Sequence, residues 1–385
     1  MKKIIYLDHA AATPLHPDVK KAMQPFFHDQ YANPSALHSL GQQARIVVEK
    51  SRTDVAELLN ARSREIFFTG SGTESNNLAL FGVVAASKVS HPHVIISSIE
   101  HSSVLEPVKE LKRRGISVSI VPVNQEGFID MQALKKAITK RTVLISVIYA
   151  NNEIGTVQPI RDIAKIIRDV RSRFGHTYPY FHTDACQASA YCEMDTQKLH
   201  VDLMTLNASK VYGPKGVGVL YVRAGTAIQP LMWGGQQESG LRPGTENVAG
   251  IVGMASALQL SRKRAKTEAI RLEKLCTMLM RGIQRSVPQV NINGPMTNRL
   301  SNNVHVSFPG YDGEAVVLYL NSRGIAAATG AACTAQAGKE SHVLKACGFD
   351  ADRVRGGVRF SLGLDTTADD IRTVIKEIPS ILSKL

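Results

Sequence analysis

Apolar runs of strand length alternate with helical stretches between about residue 45 and residue 260 of the chain. "EIFFTG" precedes the helical pattern "TESNNLALFGVVAASK", and "HVIISS", "SVSIVPV" and "TVLISVIYA" are each followed by a helical stretch in the same way. Three more apolar runs come next, "YPYFHTDAC", "VDLMTLNAS" and "VGVLYV". This alternation predicts an α/β fold with a mostly parallel sheet covered by helices. Ligands of such sheets bind beyond the carboxyl ends of the strands, so polar residues that follow the strands are the first candidates for a site.

The pattern changes after residue 260. A long basic helical stretch is followed by the apolar runs "NVHVSF" and "GGVRFSL", with the helical "GEAVVLYLNSRG" between them and a final helix "TADDIRTVIKEIPSILSK". We therefore predict a large domain over residues 15–260 and a smaller α+β domain formed by residues 1–14 and 261–385. The length of 385 residues agrees with two domains.

Composition and charge restrict the class of protein. Hydrophobic residues make up 44% of the chain, enough for a buried core, and no apolar run reaches the length of a membrane span. Asp8, His9 and Pro14 interrupt any signal-peptide core, so we expect a soluble cytoplasmic protein without membrane contact. The net charge of +13 favours anionic partners. The basic stretch "SRKRAKTEAIRLEKLCTMLMRGIQR" is a solvated helix face or an RNA-binding face; no RNA-binding motif accompanies it, and direct nucleic-acid binding is not expected.

The cysteines indicate neither a disulfide framework nor a metal site. Their number is odd and no C-x-x-C occurs, which suits a reducing compartment and leaves room for one reactive thiol. The five positions are Cys186, Cys192, Cys276, Cys333 and Cys347.

Polar residues suited to an anionic aromatic ligand follow several predicted strands. In "GSGTESNN", Gly72 and Thr73 open a helix, where backbone N–H groups can approach a phosphate, although an ordinary helix cap would look the same. His101 in "SSIEHSSV" is either structural or a ring that stacks on a ligand. Asn152 in "YANNEIGTVQPI" belongs either to a turn or to a recognition site.

An acid and a lysine follow the later strands. Asp184 and Gln187 come just after "YPYF"; a carboxylate at this depth needs a partner such as a pyridinium nitrogen, unless Asp184 is a helix cap. Lys210 in "LNASKVYGPKGVGVLYV" lies in a surface loop or is a nucleophile that forms a Schiff base. A phosphate cradle, a stacking ring, an acid and a lysine at successive strand ends together point to pyridoxal 5′-phosphate, PLP.

With these motifs in order, the chain resembles the cysteine desulfurases of the class V aminotransferase group, which are fold type I PLP enzymes. The resemblance covers nearly the whole chain, and the segment from Cys333 to Arg359 has the length typical of the subgroup with a long cysteine loop, as in the housekeeping and nitrogen-fixation desulfurases. The motifs that carry it are "YLDHAAATP", "YANPSALHSLG", "GTESNN", "EHSSVL", "NNEIGTVQPI", "HTDACQ", "SKVYGPKGVGVLYV", "RPGTENV", "GAACTA" and "VRFSLG".

The resemblance implies a role for each matching residue. Lys210 is expected to form the Schiff base, Asp184 to pair with the pyridine nitrogen and Gln187 to donate to the phenolic oxygen. His101 is expected to stack on the ring, and Gly72 and Thr73 to contact the phosphate. The remaining roles are a phosphate contact from the second subunit of a homodimer at Thr245, substrate-carboxylate binding at Asn152 and Arg359, and the persulfide at Cys333.

The three positions before the lysine depart from the family. Its members usually have Ser-Gly-His there, whereas this chain has Asn207, Ala208 and Ser209. Asn207 and Ser209 can still donate to a phosphate. A hydroxyl does not titrate near neutral pH, however, so Ser209 is a poor acid or base, and we expect this to affect the rate more than the reaction.

The resemblance implies conversion of L-cysteine to L-alanine, with a persulfide on Cys333 that passes to an iron–sulfur scaffold or tRNA-thiolation factor. "ATGAACTAQAGKE" is rich in small residues, consistent with a flexible loop over about 326–342 that carries Cys333. Within PLP chemistry the alternatives are a selenocysteine lyase or a plain cysteine lyase. Outside it, the alternative is a sulfur-relay or RNA-associated protein with little catalysis.

Overall fold

The computed structural model describes residues 4–330 and 340–385. Within these ranges the strands are β1 Ile5–Tyr6, β2 Ile66–Thr69, β3 His93–Ser97, β4 Ser117–Val121, β5 Thr142–Ser146, β6 Tyr180–Asp184, β7 Leu203–Asn207, β8 Gly218–Val222, β9 Asn291–Asn293, β10 Asn303–Ser307, β11 Ile325–Ala326 and β12 Gly357–Ser361. The helices are α1 Pro17–Met23, α2 Ser39–Leu58, α3 Gly72–Ala86, α4 Ser102–Arg113, α5 Met131–Ala137, α6 Ile160–Phe174, α7 Thr196–Leu199, α8 Val248–Ser286, α9 Gly313–Ser322, α10 His342–Ala346, α11 Ala351–Arg355 and α12 Ala368–Leu382.

The large sheet has the strand order β2-β8-β7-β6-β5-β3-β4. Strands β7, β6, β5, β3 and β4 run parallel, while β8 is antiparallel to both of its neighbours. The predicted α/β fold with a mostly parallel sheet is therefore confirmed. Because the parallel strands point the same way, the segments after β3, β5, β6 and β7 meet at one edge of the sheet.

Apolar side chains cover both faces of this sheet. In β3, Ile95 belongs to one core, while its neighbours Val94 and Ile96 belong to the core on the opposite face. Successive side chains of a strand point to opposite faces, so a strand between two layers of helices needs a continuous apolar run. That is why "HVIIS" lacks the polar alternation of a half-exposed strand.

Helix α6 illustrates how the covering helices form. Its buried residues recur at a spacing of three or four, which places them on one side of the helix. Gly175 ends the helix in the left-handed conformation with φ 69°, a geometry that favours glycine. Among the described residues, none of the helices combines the length and the apolar character that crossing a membrane requires.

A second group of elements packs around its own core. Strands β9, β10 and β12 form an antiparallel sheet, and β1 pairs in parallel with β11. Helix α8 is 39 residues long and contributes Met254 and Leu258 to the core of the large sheet, and Leu272 and Leu279 to the core beside β10 and β12. The predicted boundary at residue 260 lies inside this helix, and the division into two domains stays a prediction.

Candidate active site

A cavity of about 210 Å³ lies at the carboxyl-end edge of the large sheet, where β12 and the N-terminal segment also reach it. Nine of the residues predicted from the sequence line it together. They are Gly72, Thr73, His101, Asn152, Asp184, Gln187, Asn207, Lys210 and Arg359. The structure thus brings together residues at the ends of five different strands of the large sheet, β2, β3, β5, β6 and β7, with one residue from β12.

Lys210 reaches the cavity from a short 3₁₀ turn that directly follows β7. Its ammonium Nζ donates to the carbonyl oxygens of Ala10 at 2.9 Å and Ala11 at 2.6 Å. Gln187 Nε2 donates to the same Ala10 carbonyl at 2.8 Å. The N-terminal segment therefore forms one wall of the site and orients both side chains.

Asp184 ends β6 and is 4% exposed. Asn76 Nδ2 donates to Asp184 Oδ2 at 2.7 Å, and the backbone N–H of Cys186 donates to Oδ1 at 3.0 Å. A buried carboxylate is unfavourable unless such donors replace its hydration. The arrangement holds a negative charge at the base of the cavity.

His101 caps the N-terminus of α4 and faces the cavity. Its Nδ1 accepts from the backbone N–H of Ser103 at 3.1 Å and lies 2.7 Å from the Ser103 hydroxyl. Burial lowers the pKa of His101, so the ring is neutral near pH 7. Because Nδ1 accepts, the proton of the neutral ring is on Nε2.

The start of α3 offers an anion-binding corner. Ser71 caps this 15-residue helix, and the N–H groups of its first turn and the helix dipole favour a negative charge there. A Cβ atom on Gly72 would lie 2.8 Å from Cys186 Sγ and 3.3 Å from Asn207 Cβ, so the backbone passes too closely for a larger residue. Glu74 in the same turn pairs with Arg242 at 2.8 Å, which fixes the loop before the helix.

Arg359 enters the cavity from β12 and is 1% exposed. Its NH1 donates to the backbone oxygen of Asn152 at 2.9 Å, and its NH2 donates to Asp8 Oδ1 at 2.7 Å. Its Nε has no hydrogen-bond partner. Two of the five guanidinium N–H donors are thus used by the protein, and the others are left for a ligand.

Three predicted site residues are not among those that line the cavity. Ser209 turns its hydroxyl to Asn207 Oδ1 at 3.2 Å. Thr245 is exposed on its own chain, as the prediction of a contact from a second subunit requires, and its role stays a prediction. Cys333 and the segment 331–339 lie outside the described residues, so the structure does not test the persulfide assignment.

Sequence reasoning missed several residues of the site. Asn76 lies four residues after Gly72, on the same side of α3, and this helical spacing could have revealed it. Asp8, Ala10 and Ala11 lie in the motif "YLDHAAATP", but no local pattern assigned a role to the Asp8 carboxylate or to the two carbonyls, because their partners are distant along the chain. Cys186, which lies between Asp184 and Gln187 in the sequence, lines the cavity as that position suggests.

None of the cysteines in the described part of the chain is a good nucleophile. Burial raises the pKa of Cys192, Cys276 and Cys347 to about 12. Burial, helped by the Asp184 carboxylate, also raises the pKa of Cys186 well above its usual range. A thiol attacks as its thiolate, which is scarce at all four positions near neutral pH.

Comparisons with known proteins show the family to which the chain belongs. The aminotransferase class-V family model matches residues 5–374. A cysteine desulfurase IscS from Dictyoglomus turgidum is 43% identical over all of this chain and 96% of its own length, and one from Methanosarcina thermophila is 40% identical over all of this chain and 93% of its own length. A solved NifS-like protein superimposes with a TM-score of 0.93 at 35% identity, covering 99% of this chain and 100% of its own. A solved structure described as SspA in complex with cysteine has a TM-score of 0.79 at 33% identity, over 93% of this chain and 98% of its own.

Proposed function

The chain belongs to the aminotransferase class-V family and is a cysteine desulfurase, and we propose that it uses PLP to convert L-cysteine to L-alanine while a persulfide forms on Cys333. Members of this family are PLP enzymes. The observation that carries the proposal is the meeting of Lys210, Asp184, His101 and Arg359 in one cavity. The complex of the related SspA with cysteine supports L-cysteine as the substrate.

The residues of the cavity fit PLP in charge and in shape. The helix start at Gly72 suits the phosphate, and the Lys210 amine lies in the same cavity. The fixed Asp184 carboxylate suits a protonated ring nitrogen, and the neutral His101 ring suits stacking on an aromatic face. These four features of the cavity match different parts of one ligand, which makes an accidental fit improbable.

When bound, PLP supplies an electron sink for negative charge that develops at the substrate Cα atom. The chain's own residues do the rest. Lys210 would hold the cofactor and would move the proton at Cα. Asp184 would keep the proton on the ring nitrogen, and Arg359 would bind and orient the substrate carboxylate.

The sulfur step balances without an external oxidant or reductant. The Cys333 thiolate attacks the substrate sulfur, a sulfur–sulfur bond forms, and the carbon–sulfur bond of the substrate breaks. The electron pair of that bond stays with the Cβ atom, which takes up a proton and leaves as the methyl group of L-alanine. The assignment of Cys333 rests on the family resemblance and is supported by the raised pKa of Cys186, Cys192, Cys276 and Cys347.

The proposal extends to the assembly and to the fate of the sulfur. Two chains form a homodimer in which Thr245 of one chain contacts the cofactor phosphate in the other. Its exposure, away from the cavity of its own chain, supports this. The persulfide passes to an iron–sulfur scaffold or a tRNA-thiolation factor, and a role in iron–sulfur assembly fits the IscS relatives.

Two variants test the proposal. We expect Cys333→Ala to keep the absorbance of bound PLP and to lose sulfide release from L-cysteine, while Cys192→Ala, which removes a half-buried thiol elsewhere, retains both. We expect Lys210→Ala to lose the borohydride-reducible bond between protein and cofactor. Full sulfide release by Cys333→Ala would refute the role of Cys333, and a cofactor still reducible onto the Lys210→Ala protein would refute the role of Lys210.

A further inference from the structure

The Arg359 guanidinium has a resident counter-ion. Asp8 Oδ1 accepts from Arg359 NH2 at 2.7 Å. The Asp8 side chain is 20% exposed and the Arg359 side chain is 1% exposed. A guanidinium this deeply buried needs a negative partner, because leaving its charge unpaired in the interior is strongly unfavourable. Asp8 is the acidic side chain within ion-pair distance of Arg359 in the described part of the chain.

The backbone around Asp8 is fixed, so the pair is not a chance contact of a loose terminus. The Asp8 carbonyl accepts from the Tyr6 hydroxyl at 3.0 Å, and the neighbouring Leu7 carbonyl accepts from the backbone N–H of Ser361 at 2.8 Å. Ser361 belongs to β12, two residues after Arg359. The segment and the strand therefore present the carboxylate and the guanidinium to each other.

The geometry also leaves part of the guanidinium for a ligand. NH1 and NH2 each make one bond to the protein, while Nε makes none and Arg359 lines the cavity. A carboxylate that binds this guanidinium comes to lie beside the Asp8 carboxylate. Two like charges at one cation repel each other, and each weakens the hold of the cation on the other.

We propose that Asp8 is a positioning residue that sets the affinity of the site for α-carboxylates. Asp8 is the resident counter-ion of Arg359, so the carboxylate of a substrate or product must share the guanidinium with it. The inference rests on the proposed function, in which Arg359 binds the substrate carboxylate. Its consequence is weaker binding of L-cysteine and of L-alanine alike, because both carry the same carboxylate, so the product is released more readily. Asp8 thereby favours turnover over tight binding.

The test is equilibrium binding of L-alanine to the PLP-loaded enzyme, followed by the absorbance of the bound cofactor. Asp8→Asn keeps an oxygen that can accept from NH2 but removes the charge, so L-alanine should bind about tenfold more tightly. The methyl ester of L-cysteine has no carboxylate, and its affinity should be the same in both proteins. Asp365→Asn removes an exposed charge near the same segment and should leave L-alanine binding unchanged.

Two further variants keep the outcome decisive. Asp8→Glu retains the charge and should not tighten L-alanine binding. If Asp8→Asn does not retain cofactor, Asp8→Ser removes the same charge with a smaller side chain and should show the same tightening.

Unchanged or weaker L-alanine binding in a folded, PLP-loaded neutral variant overturns the role of Asp8. Equal tightening of the methyl ester overturns it as well, because the effect would not depend on the carboxylate. Arg359→Gln separates this result from a failure of the proposed function: L-alanine binding that survives this change shows that Arg359 does not bind the carboxylate at all.

Discussion

Asn76 connects the acid of the candidate active site to its histidine. Its side-chain Nδ2 donates to Asp184 Oδ2 at 2.7 Å and to the Ser103 hydroxyl oxygen at 2.8 Å. That hydroxyl in turn lies 2.7 Å from His101 Nδ1. Asn76 is fully buried, so water cannot replace its amide without entering the core. We predict that Asn76→Ala weakens cofactor binding although Asn76 is not one of the motif residues expected to touch the cofactor.

The magnitude follows from the bond to the carboxylate. A hydrogen bond to a charged group contributes about 1.5–3 kcal/mol, and a buried acceptor left without its donor loses a similar amount. Asp184 keeps the donor from the Cys186 backbone, so the loss is partial. We take about 2 kcal/mol, which corresponds to about a 30-fold weaker affinity for PLP.

The assay compares three variants by titrating PLP into the apoenzyme. Asn76→Ala should bind about 30-fold more weakly. Asn76→Asp should bind more weakly still, because it places a second carboxylate beside Asp184. Asn77→Ala is the matched control, since the adjacent Asn77 donates to the Thr73 carbonyl at 2.9 Å and makes no bond to the acid. If Asn76→Ala and Asn77→Ala bind PLP equally well, the bond from Asn76 does not fix the charge of the site, and the reasoning is wrong.

Three further predictions concern stability and turnover. Glu238→Gln removes the buried counter-ion of Arg52, now at 2.7 Å, and leaves the arginine only the largely exposed Glu49 at 3.3 Å. The change should lower the free energy of unfolding in urea by about 3 kcal/mol, and a loss below about 1 kcal/mol would contradict this. Burial raises the pKa of Glu100 to about 8, so the folded protein keeps a proton that the unfolded chain releases above about pH 5. The free energy of unfolding should therefore fall by up to about 1.4 kcal/mol per pH unit between about pH 5 and about pH 8. Glu100→Gln should remove this slope in urea unfolding at pH 5, 6.5 and 8, and an unchanged slope would show that Glu100 is not its source. Ser341→Ala removes a 2.5 Å hydrogen bond to Glu153 and the cap of α10, which begins directly after the segment that carries Cys333. The variant should release sulfide about fivefold more slowly and bind L-alanine with unchanged affinity. An unchanged rate of sulfide release would count against this prediction.

The parts of the fold and site that could be predicted are those with a local pattern. Continuous apolar runs such as β3 identify central strands, because both faces of the sheet are covered. Residues directly after these strands, such as His101, Asp184 and Lys210, could then be assigned to one edge. The lengths of the helices were harder to predict from the sequence. Helix α8 starts at Val248 and crosses the predicted boundary, because its first half packs on the large sheet and its second half on the smaller one.

The rest of the site depends on contacts between distant parts of the chain. Asp8 and Arg359 are 351 residues apart, and Lys210 is about 200 residues from the carbonyls that hold its ammonium. No spacing rule connects such positions, and backbone carbonyls have no sequence signature. In the described part of the chain, the pairing of β1 with β11 and of Asp8 with Ser361 of β12 brings Asp8 to Arg359. Hydrogen bonds of Thr13 to Ser209 and Tyr212 bring the same segment to Lys210.

These contacts between distant parts of the chain determine what the N-terminal segment contributes to the chemistry. The same six residues, 8–13, supply the counter-ion of Arg359, the two acceptors of Lys210 and, through Thr13, hydrogen bonds to the turn that carries the lysine. A half-buried lysine and a buried arginine in one cavity would repel each other and would be unfavourable without acceptors. The segment satisfies both cations at once. Together with the Asp184 carboxylate, the Asp8 carboxylate balances the formal charges of Lys210 and Arg359, so the phosphate and carboxylate groups of a ligand depend on individual N–H donors of the cavity rather than on a net positive charge.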